Sequence, residues 1–292
     1  MALRASAFSP SHITGFFQIF RHSDMLKAGS RGCGVVIDKG TRADVRVEEG
    51  DMNAVEVFLN GDPCRCPVSR MVADEILKLT NGRFSVEVSQ SVDVPLRYGF
   101  GASASGALST GLALNKALGL RLSDMRVGQI AHFCEVKNMT GLGDVVAELY
   151  GGLVVREREG APGVGRVSKI PSDGSVVVFI IGGEMGTRDV LEDDEKRERI
   201  TRMGGRCLDL LLKDPTPDNF LRISKRFSEE TGLLSREVKE AMVDLEKRGV
   251  SSSMVMLGNS VFTLTEDTEG VCEMLDYKYI VADIDKVGVR LV

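Results

Sequence analysis

The sequence predicts a fold of mixed helices and strands in two parts, and three observations point to it. Short apolar runs alternate with polar residues at strand period, stretches with one apolar helical face separate them, and a Gly- and Pro-rich loop divides the chain. Strands are expected over 35–38, 43–47, 55–59 and 84–91. In the last, Phe84, Val86 and Val88 alternate with polar neighbours, as on a half-buried strand. A helix is expected over 67–79, where Val68, Val72, Ile76 and Leu79 share one face. Two more follow over 103–118 and 123–137, the second capped by Ser123. Gly151 and Gly152 then lead into a strand over 153–156, and the loop 159–165 marks the expected end of the first part. Beyond it come a strand over 176–181, a charged helix, a further helix pair, and strands near 254–257, 261–264 and 287–292. The run 192–199 reads as a solvated helix face held by i,i+4 ion pairs, with Ile200, Met203, Cys207 and Leu210 as the buried stripe of the next turns.

At 292 residues, 43% hydrophobic and 27% charged, the chain can form one large or two medium domains. A net charge of −5 and the lack of a basic stripe argue against a nucleic-acid partner. The first twenty residues lack an unbroken apolar run, so no secretory signal is expected. The longest strong apolar run, 176–181, is too short to span a bilayer, so no membrane partner is expected. The six cysteines are scattered, and Cys64 and Cys66 have the wrong spacing for a CxxC pair. Reduced thiols in a cytoplasmic protein are expected. Three scattered histidines do not suggest zinc.

The stretch 95–107 carries the most chemistry. Gly99 and Gly101 flank Phe100, and a run of Ser and Ala opens a helix. Such a turn gathers free backbone N–H groups and the positive helix end at one spot, and its missing side chains let a phosphate come close. Gly99, Phe100, Gly101, Ala102, Ser103 and Ser105 are the expected phosphate-binding residues. There is no GxxxxGK[ST] loop. The turn matches the loose Rossmann pattern, but 95–98 separate it from its strand and Asp124 falls at a helix start, which argues against a dinucleotide. A Gly/Ala turn serving close helix packing is the ordinary alternative. Further on, His132 and Glu135 share a helix face that leads through a glycine-broken loop to Asp144, a carboxylate placed to enter a cleft. The segment 9–17 is the third of note.

Together these segments resemble the GHMP kinase superfamily, named for its galactose, homoserine, mevalonate and phosphomevalonate kinases. The family's PxxxGLGSSA motif is matched by PLRYGFGASA at 95–104. Asp144 precedes Gly151-Gly152 as the family's catalytic Asp precedes its Gly-Gly strand. The Gly-rich loop of the family's second domain corresponds to 256–260, which has lost most of its glycines. The resemblance implies a two-domain α+β fold: residues 1–160 like ribosomal protein S5 domain 2, 161–292 ferredoxin-like, and a nucleotide in the cleft between them. It implies ATP as phosphoryl donor, Mg2+ held by Ser103 and Glu135, and Asp144 at the acceptor hydroxyl. One hydroxyl and one carboxylate suffice for a cation that also takes phosphate oxygens. In a loose transition state Asp144 need only orient the alcohol and accept its proton late. Helix capping by Ser103 or Asp144, and a surface ion pair for Glu135, are the ordinary alternatives.

His12 stands where many members carry Lys, and Gly-Phe-Gly-Ala-Ser replaces Gly-Leu-Gly-Ser-Ser. With 29–32 and 256–259, this combination is similar to the archaeal pantoate kinase branch. That likeness implies pantoate as small-molecule substrate, phosphorylated on its primary hydroxyl on the route to coenzyme A. Its carboxylate needs a cation or several donors in place of water. Ser30, His132, Arg156 and Thr187, with Arg31 in reserve, are the expected contacts. A mevalonate, homoserine or shikimate-like acceptor, or a non-catalytic nucleotide sensor, stays open at this stage. A homodimer is compatible with the resemblance.

Overall fold

Strands β1 (Leu3–Phe20) and β2 (Gly29–Glu49) form one long antiparallel hairpin that underlies the whole molecule. The computed structural model describes residues 2–184 and 193–292. The two short strands expected over 35–38 and 43–47 are one continuous β2, and β1 was not expected at all. Its Ser9, Ser11 and His12 interrupt the apolar pattern, yet all three are fully buried. Both faces of β1 are covered, so the alternation that betrays a half-exposed strand is absent. Register shifts at Pro10/Ser11 and Thr14/Phe16 twist its middle, the usual effect of a bulge beside a site.

The first sheet runs β12-β1-β2-β5-β3-β4, with β6 on the far part of β2 and β7 beyond it. Its other members are β3 (Ala54–Leu59), β4 (Asp62–Pro63), β5 (Phe84–Val92), β6 (Leu153–Arg158), β7 (Arg166–Ile170) and β12 (Arg290–Leu291). Only β3 and β5 pair in parallel, joined through α1 (Pro67–Leu77). The loop 159–165 therefore turns between β6 and β7 of one sheet, not between sheets. The chain end also returns to this sheet through β12. Helices α1, α2 (Ala102–Leu118) and α3 (Asp124–Asn138) cover the sheet with Val68, Val72, Ile76, Ala107, Leu108 and Val127. Leu79, expected on the buried face of α1, lies past the helix end and is 48% exposed. Ser123 caps α3 as expected, accepting the Arg126 N–H.

The second sheet is antiparallel, in the order β11-β8-β10-β9. Its strands are β8 (Ser175–Ile180), β9 (Ser253–Met254), β10 (Ser260–Thr265) and β11 (Lys278–Asp283). The strand expected over 287–292 shrinks to β12, and β11 was missed. Helices here are α5 (Asp194–Lys213), α6 (Pro217–Thr231), α7 (Arg236–Lys247) and α8 (Thr268–Cys272). Asp193 caps α5, and in the charged run Lys196 pairs with Asp193 and Arg197 with Asp194 at i,i+3, while Glu192 lies outside the described residues. Phe16 and Phe17 of β1 meet Phe227 of α6 at 6.3 and 5.7 Å between ring centres, so the first hairpin supplies part of the second core.

The cysteines depart from expectation. Cys64 and Cys66 are joined by a disulfide, their Cα atoms 5.4 Å apart, a separation that a bridge spans easily. Cys33, Cys134 and Cys207 are buried free thiols. Among the described residues no helix is long and apolar enough to cross a membrane.

Candidate active site

The Gly-rich turn opens into α2 as the sequence predicts. Gly99 (φ 82°) and Gly101 (φ 67°) both lie in the left-handed region, which glycine enters without steric cost. Space forbids a side chain as well. A Cβ on Gly101 would sit 2.5 Å from Glu148 Oε1, and one on Gly99 2.7 Å from the Met256 carbonyl oxygen. No side chain caps α2 and its first turn holds no acid. The first N–H groups of the helix therefore stay free of intrahelical partners and, with the helix dipole, favour an anion. Gly99, Phe100, Gly101, Ala102 and Ser103 all line a cleft of about 470 Å³. Ser105 does not. It is fully buried, 2.7 Å from Thr41 Oγ1, because two steps along a helix turn it away from Ser103.

Ser103 Oγ donates to Glu135 Oε1 at 2.5 Å, and Thr140 Oγ1 donates to the same oxygen at 2.9 Å. Burial pushes the Glu135 carboxyl up to about 7, helped by the Asp144 charge and opposed by the Ser103 and Thr140 bonds. Glu135 Oε2 faces the space above Gly141, where a Cβ would lie 2.3 Å away. A carboxylate oxygen and a hydroxyl beside the phosphate turn form a donor set suited to a hard divalent cation.

One contact at the cleft was not expected from the sequence. His12 Nδ1 lies 2.7 Å from Asp144 Oδ1, and Arg156 Nη1 lies 3.4 Å from His12 Nε2. Arg156 can only donate, so Nε2 accepts and Nδ1 carries the hydrogen given to Asp144. Burial pulls the His12 ring below its ordinary pKa, against the upward pull of Asp144. Burial raises Asp144, but the His12 hydrogen bond and the Arg156 charge work against it, and the carboxylate stays low. The result is a neutral histidine fixing an ionised aspartate whose side chain keeps 25% exposure to the cleft. Asp144 begins α4 (Asp144–Tyr150) directly after Gly143, which aims it across the cleft.

Ser30 and Arg156, both expected, lie together against Gly143 at the same end of the cleft. Arg156 is buried to 2% exposure, and its Nε has no partner among the described residues. A Cβ on Gly143 would sit 2.3 Å from Ser30 Oγ and 2.7 Å from Arg156 Nε. Gly143→Ala should therefore raise the acceptor KM by roughly ten-fold or more while leaving the nucleotide KM near wild type, the scale of displacing one charge-assisted contact. Steady-state kinetics in both substrates checks it.

Other expected contacts fall elsewhere. His132 is a buried core histidine whose Nε2 lies 2.9 Å from the Ala28 carbonyl oxygen, and it does not line the cleft. It turns toward the 25–28 loop, away from the face of α3 that carries Glu135 into the cleft. Arg31 leaves β2 on the opposite side from Ser30, pairs with Glu159 at 2.7 Å and stacks over Phe20. Strand alternation separates the neighbours. Thr187 lies outside the described residues. From the 256–260 loop, Met256 and Leu257 reach the cleft, and Gly258 packs against the Tyr98 backbone.

Glu148, one turn beyond Asp144, is fully buried with no partner on either carboxylate oxygen among the described residues. Burial, then the Asp144 and Glu135 charges, push its pKa well above the carboxylate range. A carboxyl whose folded pKa is raised favours the folded state at low pH and loses that contribution as pH rises. Glu148→Gln should therefore gain thermal stability over wild type as pH climbs from about 5 to about 8. Paired melting curves across that range would refute the neutral-acid assignment if the gap stayed constant.

The GHMP kinases N-terminal domain matches residues 68–152. A pantoate kinase of Thermococcus kodakarensis is 40% identical over 90% of this chain and 88% of its own. One from Methanocaldococcus jannaschii is 35% identical over 89% and 92%. A solved structure described as a phosphotransferase related to the CoA biosynthesis pathway is 36% identical and superposes with a TM-score of 0.90, covering 100% of this chain and 99% of that one. Homoserine kinase from Cytophaga hutchinsonii shares the fold, with a TM-score of 0.73 at 15% identity over 99% of this chain and 97% of its own. The fold is thus the two-domain α+β fold of these enzymes. With relatives this alike along nearly their whole length, the chain belongs to the GHMP kinases and is a small-molecule kinase.

Proposed function

We propose that this kinase transfers the terminal phosphoryl group of ATP to the primary hydroxyl of pantoate, giving phosphopantoate for coenzyme A synthesis. The observation that carries the reading is the Arg156–His12–Asp144 chain set beside the α2 amides. The amides of 99–103 hold the donor phosphates, and burial of the turn against Glu148 and Met256 keeps it rigid. Ser103 and Glu135 would hold Mg2+, which supplies charge neutralisation at the phosphates when bound. Asp144 orients the acceptor hydroxyl and takes its proton as the new P–O bond forms. His12 donates to one Asp144 oxygen and leaves the other for that proton. Arg156 Nε, buried and unpaired, meets the pantoate carboxylate, joined by Ser30 Oγ. Phe17, Met256 and Leu257 offer apolar wall to the two methyl groups of the acceptor.

The nucleotide base takes the other end, among Leu59, Pro67, Val68, Val92 and Leu96. Gln90 is held there by bonds to Ser69 Oγ and Thr110 Oγ1, both 2.9 Å. Coupled ADP release with pantoate, pantothenate, mevalonate and homoserine side by side tests the reading. Turnover with pantoate far above the rest is expected, with one new phosphomonoester by 31P NMR. Preference for another alcohol would reassign the acceptor, and ATP binding without turnover would make the chain a sensor.

A further inference from the structure

The Cys64–Cys66 disulfide lies outside the machinery above, yet Cys66 lines the cleft beside Pro67, Val68 and Ser69. Cys66 is the N-cap of α1, with φ 32° and ψ 64° and no side-chain cap bond. A left-handed conformation is costly for a residue with a Cβ. A residue before proline also favours an extended backbone. The disulfide helps to hold Cys66 there, together with the bond its N–H donates to Cys64 Sγ at 3.2 Å. It ties α1 to Cys64, whose N–H donates to the Val57 carbonyl at 2.8 Å, so the wall of the cleft is pinned to β3.

The pair is also more open to exchange than the three buried thiols. Both residues are partly exposed. Burial holds the thiols of Cys33, Cys134 and Cys207 far above neutral pH, where thiolate is scarce. We propose that Cys64 and Cys66 form a reversible thiol–disulfide site on the nucleotide wall of the cleft, whose oxidised form binds nucleotide more tightly. This rests on the assignment of that end of the cleft to the nucleotide.

The co-reactant is a low-molecular-weight disulfide. The Cys64 thiolate attacks it, forming a mixed disulfide and releasing one thiolate. The Cys66 thiolate then attacks the Cys64 sulfur and releases the second. Two protein thiols are oxidised, one small disulfide is reduced to two thiols, and the two protons pass to those thiols. In the reduced protein Cys66 relaxes toward the extended backbone and the start of α1 shifts.

The test equilibrates the whole protein with oxidised or reduced glutathione, measures kinetics in each state, and counts thiols by acid quenching, denaturation, alkylation and mass spectrometry. Of the six cysteines, four should be alkylated in the oxidised protein, matching the four free thiols of the structure. All six should be alkylated after reduction. Reduction should raise the ATP KM roughly five-fold, the scale of releasing one strained residue, with kcat and pantoate KM unchanged. Cys64→Ser should show the higher ATP KM in both buffers. Six alkylated thiols after oxidation, or an ATP KM indifferent to redox state, overturns the proposal. Absence of turnover in both states defeats the kinase reading instead. The thiol count and the calorimetric affinity for ADP then still decide the redox site.

Discussion

Replacing Asp144 with Ala lowers kcat by roughly 10²–10⁴-fold, the range for loss of a positioned proton acceptor, while the ATP KM stays near wild type. The carboxylate is ionised, partly exposed and held from behind by His12. The loss should appear in kcat, because the contact strengthens only as the acceptor proton leaves. Asp144→Asn keeps shape and removes basicity, so it should be nearly as impaired. The melting temperature should fall modestly, since the fully buried His12 loses the acceptor for its Nδ1 hydrogen, at a cost of about 1–3 kcal/mol. A pure, folded variant turning over near the wild-type rate would exclude Asp144 from the chemistry. His12→Ala should fall between wild type and Asp144→Ala, because it frees the Asp144 side chain without removing it.

Replacing Arg156 with Ala should raise the pantoate KM by roughly 10–150-fold, the worth of a charge-assisted contact. The guanidinium is buried, and its Nε has no partner among the described residues. A second effect separates it from a simple binding residue. Arg156 also donates to His12 Nε2, so its removal unsettles the ring that orients Asp144. A fall in kcat should accompany the rise in KM, and Arg156→Lys should restore charge without restoring both contacts. Kinetics with pantoate and ATP varied independently check this. An unchanged pantoate KM would move the carboxylate anchor elsewhere in the cleft.

Much of the fold and part of the site could be read from residue order alone. Helices α1 to α3 are found within a residue or two because their apolar faces repeat at helical spacing and Ser123 caps α3. The turn at Gly99 and Gly101 is legible because backbone geometry and crowding both require glycine there. Ser103, Glu135 and Asp144 meet at one cleft as the motif spacing suggested. Strand β1 was hidden by the buried Ser9, Ser11 and His12 that break its apolar pattern. Two failures have one cause, the facing of neighbouring residues on an element. Ser105 shares α2 with Ser103, and Arg31 sits beside Ser30 on β2, yet each points away. His132 was chosen for sharing a helix face with Glu135, but a carbonyl of the 25–28 loop claims its ring. His12 was visible only as a departure from the usual Lys. Its role became clear once β1 brought it 2.7 Å from a residue 132 positions away.

The most direct test is a crystal structure with a non-hydrolysable ATP analogue, Mn2+ and pantoate bound together. The phosphates should rest on the amides of 99–103, with an anomalous Mn2+ peak beside Ser103 and Glu135. The pantoate carboxylate should lie on Arg156, with the primary hydroxyl at about 3 Å from Asp144, within hydrogen-bond reach. Phosphates seated away from the start of α2, or an acceptor hydroxyl turned from Asp144 with the triphosphate in place, would contradict the account.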